Sequence, residues 1–263
     1  IPGAVIFFVR RHIPESPRYL MIAGREEEAR QVLLRVAAEN RAAVDIPRLR
    51  KVERSQKLTV ASLWQPRFLR TTIVLWIAWF TISLGYYGTF TWLPSIFVQR
   101  GFTFLRTYQN TFLLALAQIP GYISAAWLVE RWGRRRTLAL YLLLGAVFTY
   151  LFAVVAGLTA IVVAAMLMSF FILGAWGALY AYTPEVYPTE IRATGMGWAS
   201  GMTRIAGSIA PILGGALLPV SLVAALSVYA GSFVVGGVTL FLLGRETKDQ
   251  PLEDTVWADT PRQ

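Results

Sequence analysis

The chain has 263 residues, 56% of them hydrophobic and 13% aromatic, and carries a formal net charge of +10. So large an apolar share excludes an ordinary water-soluble domain, and the absence of cysteine removes disulfides, thiol chemistry and cysteine-based metal sites. The charge is set out unevenly along the sequence, and that unevenness is informative.

Residues 1–9 form an apolar stretch too short to cross a bilayer and are followed at once by Arg10 and Arg11, so they read as the last turns of a truncated transmembrane helix. A secretory signal would place its charges before the apolar run. His12, the one histidine, sits in this basic junction, where an interfacial role fits better than a ligand or a proton relay. Residues 10–70 read as a cytoplasmic linker. Within it Ala29, Val32, Leu33, Val36 and Ala37 recur at helical spacing against Glu26, Glu27, Glu28, Arg30, Arg35 and Glu39, which predicts an amphipathic helix lying under the membrane domain.

Six apolar segments come next, at residues 71–99, 109–129, 137–157, 158–182, 193–217 and 221–243, each near or above the ~20 residues a helix needs to cross ~30 Å of hydrocarbon. The alternating ten-residue strands of a barrel are absent, so helices must satisfy the backbone. The predicted fold class is therefore all-α: a polytopic six-helix transmembrane bundle over 71–243, closed by a cytoplasmic tail at 244–263. Of the 25 lysines and arginines, 22 fall on one side of this arrangement, only Arg100 and Arg106 on the other, and Arg204 within a span. The positive-inside rule makes the basic side cytoplasmic and puts both ends of the chain there. The net charge is thus a topology signal and an attraction to membrane lipid; it gives no reason to expect nucleic acid as a partner.

Arg204 is the only charged side chain in the six segments and lies near the middle of its own. An arginine at that depth costs roughly 2.5–3.5 kcal/mol and usually faces a bundle interior or a water-filled route. Span midpoints put Gln118, the stretch from Gly174 to Trp176, and Arg204 at similar depth, with Tyr86 and Tyr87 slightly toward the outside. Aromatic faces, an amide and a fixed cation together suit a small, flat anion, whose carboxylate a guanidinium binds through two parallel hydrogen bonds. The structural alternative is that Arg204 bonds neighbouring carbonyls and the aromatics are bundle packing. Gly197, Gly201, Ser208, Pro211 and Gly215 make a small-residue stripe around Arg204 that permits close approach.

The loops carry their own pattern: Pro14-Glu15-Ser16-Pro17-Arg18, Glu130-Arg131-Trp132-Gly133-Arg134-Arg135-Arg136, Pro184-Glu185-Val186-Tyr187-Pro188-Thr189-Glu190-Ile191-Arg192 and Gly244-Arg245-Glu246-Thr247-Lys248. Gly133 allows a tight reversal between two spans. The glutamates and arginines about it can either anchor topology or form a charge lattice that holds the helix ends together in one conformation and releases them in another.

In this order, interleaved with six spans, these four signatures resemble the C-terminal half of the major facilitator superfamily, in its sugar-porter and metabolite-porter branches. The resemblance implies that the six spans correspond to spans seven to twelve, that a missing N-terminal six-helix half completes the transporter, and that Glu15, Arg18, Glu130, Arg131, Gly133, Arg134, Arg135, Glu185, Arg192 and Glu246 belong to a cytoplasmic gate. The stretch from Trp79 to Gly88 and the run Gly201-Met202-Thr203-Arg204-Ile205-Ala206-Gly207 look more like niacin and aromatic-acid carriers than hexose porters. The resemblance further implies a proton-coupled secondary transporter in the cell membrane, with a small-molecule substrate such as nicotinate bound by Arg204, Tyr86, Tyr87, Gln118 and Trp176, and with no cofactor. None of the six spans contains an acidic residue, so the proton-titrating group is expected in the missing half. The alternatives are a sugar or polyol porter and a non-transporting, receptor-like homologue. An enzyme is excluded by the lack of a nucleophile–base pair, a metal cluster or a phosphate loop.

Overall fold

The computed structural model describes residues 14–40 and 59–250, so the expectations for residues 1–9, His12 and the distal tail lie outside the described residues. The described residues form two compact units, 14–40 with Pro188–Ile191, and 59–187 with 192–250. In the first unit, α1 (Pro17–Ile22) is followed by α2 (Glu26–Glu39), the predicted amphipathic helix, with three glutamates in its first turn. Arg25 and Glu28 pair there at 2.5 Å; the pairing lowers the carboxyl pKa from its ordinary value and, lying at the solvent-exposed surface, adds little to stability.

The second unit opens on a short 3-10 turn (Val60–Trp64) and continues through six long helices: α3 (Pro66–Gln99), α4 (Phe104–Trp132), α5 (Arg134–Val154), α6 (Leu158–Glu185), α7 (Thr189–Leu217, whose first three residues cluster with the first unit) and α8 (Leu222–Leu243). Their starts reflect local chemistry. Pro66 occupies the first turn of α3, where its missing N–H costs nothing. The Thr103 side chain accepts from the Arg106 amide and that of Ser221 from Ala224, capping α4 and α8. Five of the six are long and apolar enough to span a membrane by length and composition, which makes this a multi-pass membrane protein. The sixth, α7, is 29 residues long but less apolar, because Arg204 and a run of Gly, Ser and Thr dilute it. At 34 residues, α3 is about 50 Å long and so exceeds the hydrocarbon thickness.

The helices pack through small residues. α5 lies against α6 and α8, α4 against α6, and α3 against α8. Gly85 and Gly88 of α3 receive the rings of Phe233 and Tyr229 from α8, and Gly121 of α4 meets the Phe170 backbone of α6. Inter-helix hydrogen bonds reinforce the contacts: Ser232 Oγ donates to the Thr81 carbonyl at 3.1 Å, and Tyr141 Oη to Ser124 Oγ at 2.8 Å. In its apolar stretch α4 is only 22% buried, against 56% for α3, so its large side chains face outward as a helix in lipid or against another bundle requires.

At the far end from the arginine-rich loop, Arg100 closes α5. Its guanidinium donates to the carbonyls of Phe152 (2.9 Å), Ala153 and Val155 (3.0 Å), the orphan acceptors of the helix C-terminus. Burial pulls the pKa of this guanidinium down from its ordinary value, with no loss of charge at neutral pH.

Candidate functional site

Two groups of side chains stand out. The first is an aromatic cluster between α3 and α6. Tyr86 meets Tyr87 edge-on with ring centroids 5.2 Å apart and Trp176 at 5.9 Å, while Trp79 touches Trp176 at 5.7 Å and Tyr180 at 5.2 Å. Such edge-to-face contacts hold the rings in fixed orientation. Trp79 Nε1 donates to Thr183 Oγ1 at 3.0 Å, whereas Trp176, only 6% exposed, has its indole N–H buried without a hydrogen-bond partner among the described residues. A donor left in that state costs roughly 1–3 kcal/mol unless something else accepts from it.

Arg204 lies midway along α7 and is exposed. Among the described residues its guanidinium takes part in no hydrogen bond or ion pair. Its neighbours on the helix tie α7 to the aromatic helix: Ser83 Oγ donates to Thr203 Oγ1 at 3.1 Å, and a side chain at Gly207 would stand 3.3 Å from the Tyr87 ring. Arg204 thus sits on a stretch of α7 pinned to α3 on either side of it. Gln118 is engaged elsewhere. Its Nε2 donates to Ser169 Oγ at 3.2 Å, and that hydroxyl in turn donates to the Leu114 carbonyl at 3.0 Å, so the amide serves the α4–α6 contact. Trp79 and Tyr180 belong to the cluster without having been singled out in sequence; their spacing of one or two helical turns from Tyr86 and Trp176 was the available signal.

The second group lies at the arginine-rich end, around the α4–α5 reversal. Gly133 has φ 98° and ψ 161°, which a residue with a Cβ adopts only under strain. Arg134 is central: its Nη2 lies 3.1 Å from Glu130 Oε1 and its Nε 2.9 Å from Glu185 Oε2. Thr247 Oγ1 donates to the same Glu185 oxygen at 2.6 Å. Glu246 Oε1 accepts three backbone amides, from Arg134 (2.9 Å), Thr247 (3.0 Å) and Lys248 (3.3 Å), and so joins the start of α5 to the segment after α8. Arg135 Nη1 donates to the Gly244 carbonyl at 3.3 Å, and Arg131 stacks on Trp127 with its guanidinium 4.4 Å from the ring centre. Arg192 Nε donates to the Tyr187 carbonyl at 3.2 Å. Burial raises the Tyr187 phenol above its ordinary pKa, against the hydrogen bond it shares with Thr72. Glu15 and Arg18 belong to the other unit, Glu15 exposed just ahead of α1 and Arg18 within it. This group ties the ends of α4, α5 and α6 to the segment that follows α8.

Comparison with known proteins agrees with this architecture. Residues 1–258 match the family described as sugar (and other) transporters. The chain is 43% identical over 216 residues to the niacin transporter NiaP of Acinetobacter baylyi, covering 81% of this chain and 49% of that protein. It is 36% identical over 248 residues to the putative niacin/nicotinamide transporter NiaP of Bacillus subtilis, covering 94% and 55%. The chain therefore spans about half the length of the curated relatives it matches. Among solved structures, the proton:xylose symporter XylE, a major facilitator superfamily protein, superposes with a TM-score of 0.69 at 18% identity, over 96% of this chain and 56% of that one, a likeness of fold. With the six-helix bundle, the loop motifs and these matches in agreement, the chain belongs to the sugar (and other) transporter family and folds as half of a major facilitator bundle.

Proposed function

We propose that this chain forms the C-terminal-type half of a secondary active transporter that moves a small organic anion, nicotinate or a related aromatic carboxylate, across the cell membrane. Arg204 binds the carboxylate, Tyr86, Tyr87 and Trp176 pack against the ring, and Gln118 shapes the pocket from the α4 side. A second six-helix bundle covers the exposed faces of α4 and α7, and transport proceeds by rocking of the two halves about the mid-membrane site. The arginine-rich end with both chain ends is cytoplasmic. There Arg134, Glu130, Glu185 and Glu246, with Arg131, Gly133, Arg135 and Arg192, latch the inner gate, and a proton taken up in the partner half accompanies the substrate.

The observation that carries this reading is a guanidinium halfway along α7 with no hydrogen-bond or ion-pair partner among the described residues, on a stretch joined to α3 by Ser83 and Thr203, together with the buried indole N–H of Trp176 that has no partner among them. The resemblance to proteins named as niacin transporters supports nicotinate as the substrate. The test is uptake of labelled nicotinate by cells expressing the protein, wild type against Arg204→Gln at equal membrane abundance. Saturable uptake that falls by at least tenfold in the variant is expected; equal uptake in both would make Arg204 structural. A sugar or polyol substrate is the second reading, favoured by the family match, and hexose competition with nicotinate uptake distinguishes it.

A further inference from the structure

The indole N–H of Trp176 is a donor in search of an acceptor. The residue is 6% exposed and its Nε1 has no hydrogen-bond partner among the described residues, whereas Trp79 beside it donates to Thr183 Oγ1. That burial arises within this bundle alone, so neither lipid nor a second bundle packed on the outside reaches the nitrogen. Only something small enough to enter between α3 and α6 can accept from it.

The surroundings of the indole are aromatic. Trp79 and Tyr86 meet it edge-on with centroids 5.7 and 5.9 Å away, and Tyr180, one turn further along α6, stacks on it at 5.8 Å with 29° between the planes. A ring face is at best a weak acceptor for an N–H. The contacts nevertheless fix the indole plane, because Trp79 is itself held by Thr183. Tyr180, by contrast, is exposed. A buried donor held in this way selects among ligands of equal shape: one with an acceptor in the right place gains a hydrogen bond, and one without it leaves the donor unpaired. A carboxylate is matched by charge to a guanidinium, whereas a neutral N–H suits a neutral acceptor.

We propose that Trp176 Nε1 donates to a ring nitrogen of the substrate, so that the transporter takes heteroaromatic carboxylates of the nicotinate kind and discriminates against carbocyclic ones such as benzoate. A pyridine nitrogen is unprotonated at neutral pH and lies in the plane of a flat ring, which the faces of Tyr86 and Tyr180 can stack upon. The exposed Tyr180 ring turns aside to admit it. This specificity role rests on the transport reading above, in which Arg204 holds the carboxylate.

The test is inhibition of labelled nicotinate uptake in cells expressing the complete transporter, with unlabelled nicotinate and benzoate as competitors. Wild type is compared with Trp176→Phe at equal membrane abundance, since the phenyl ring keeps much of the packing and removes the N–H. Benzoate is expected to inhibit the wild type about tenfold or more weakly than nicotinate does. In the variant nicotinate should weaken about tenfold while benzoate is unchanged, which brings the two inhibition constants to within about twofold of each other. Saturable nicotinate uptake in the wild type with benzoate an equal competitor overturns the proposal, whether or not the variant reaches the membrane. An equal loss of both competitors in the variant, or an unchanged ratio between them, overturns it as well and leaves Trp176 a packing residue. Absence of nicotinate uptake by the wild type overturns the transport reading itself, and this proposal with it.

Discussion

Gly133→Ala probes the arginine-rich cluster most directly, because one methyl group meets two obstacles there. The backbone at φ 98° and ψ 161° lies in a region that costs a residue with a Cβ about 1–3 kcal/mol. The new Cβ would also stand 2.5 Å from the Glu246 carboxyl carbon, and the carboxylate cannot retreat without releasing the amides of Arg134, Thr247 and Lys248. Loss of that half-buried set adds about 1–2 kcal/mol, for a total of about 2–5 kcal/mol. Glu246→Ala removes the obstacle in advance, so in that background Gly133→Ala should cost only the backbone strain. Unfolding in mixed micelles titrated with SDS, followed by tryptophan fluorescence, gives the four corners of the cycle. A coupling of about 1–2 kcal/mol is expected. Additivity of the two substitutions within about 0.5 kcal/mol would refute the reading that Glu246 closes over Gly133.

The same assay checks two further expectations at the other end and in the core. Arg100→Gln should destabilise the bundle by about 1–3 kcal/mol by abandoning the carbonyls of Phe152, Ala153 and Val155, and Arg100→Lys should recover less than half of that, since one ammonium does not reproduce the planar fork. Gly88→Ala should cost about 1–3 kcal/mol because its Cβ would enter the Tyr229 ring, whereas Gly231→Ala meets open space and should be neutral or slightly stabilising through helix propensity. Equal effects at the two glycines would contradict the α3–α8 packing.

The sequence by itself determined the all-α class, the apolar helices and the family, because run length and hydropathy are local properties that the bilayer reads directly. It also marked Arg204, since a charge amid apolar residues is visible without any partner. Helix α7 shows the limit of that signal: the same Arg204, with its small polar neighbours, brings the helix below the apolarity of the other five. What the tertiary structure alone decided is partnership. Depth alone placed Gln118 near mid-membrane, and the rotation of α4 against α6 gives its amide Ser169 as a partner. Arg134 was one of four neighbouring arginines, and only the approach of α6 places Glu185 within 2.9 Å of it. Glu246 caps the α4–α5 reversal across more than a hundred residues of chain. Depth along a helix can be counted from sequence, but azimuth about its axis is set by how neighbouring small residues let the backbones close. That closure brought Tyr86, Tyr87 and Trp176 together and left Arg204 facing outward.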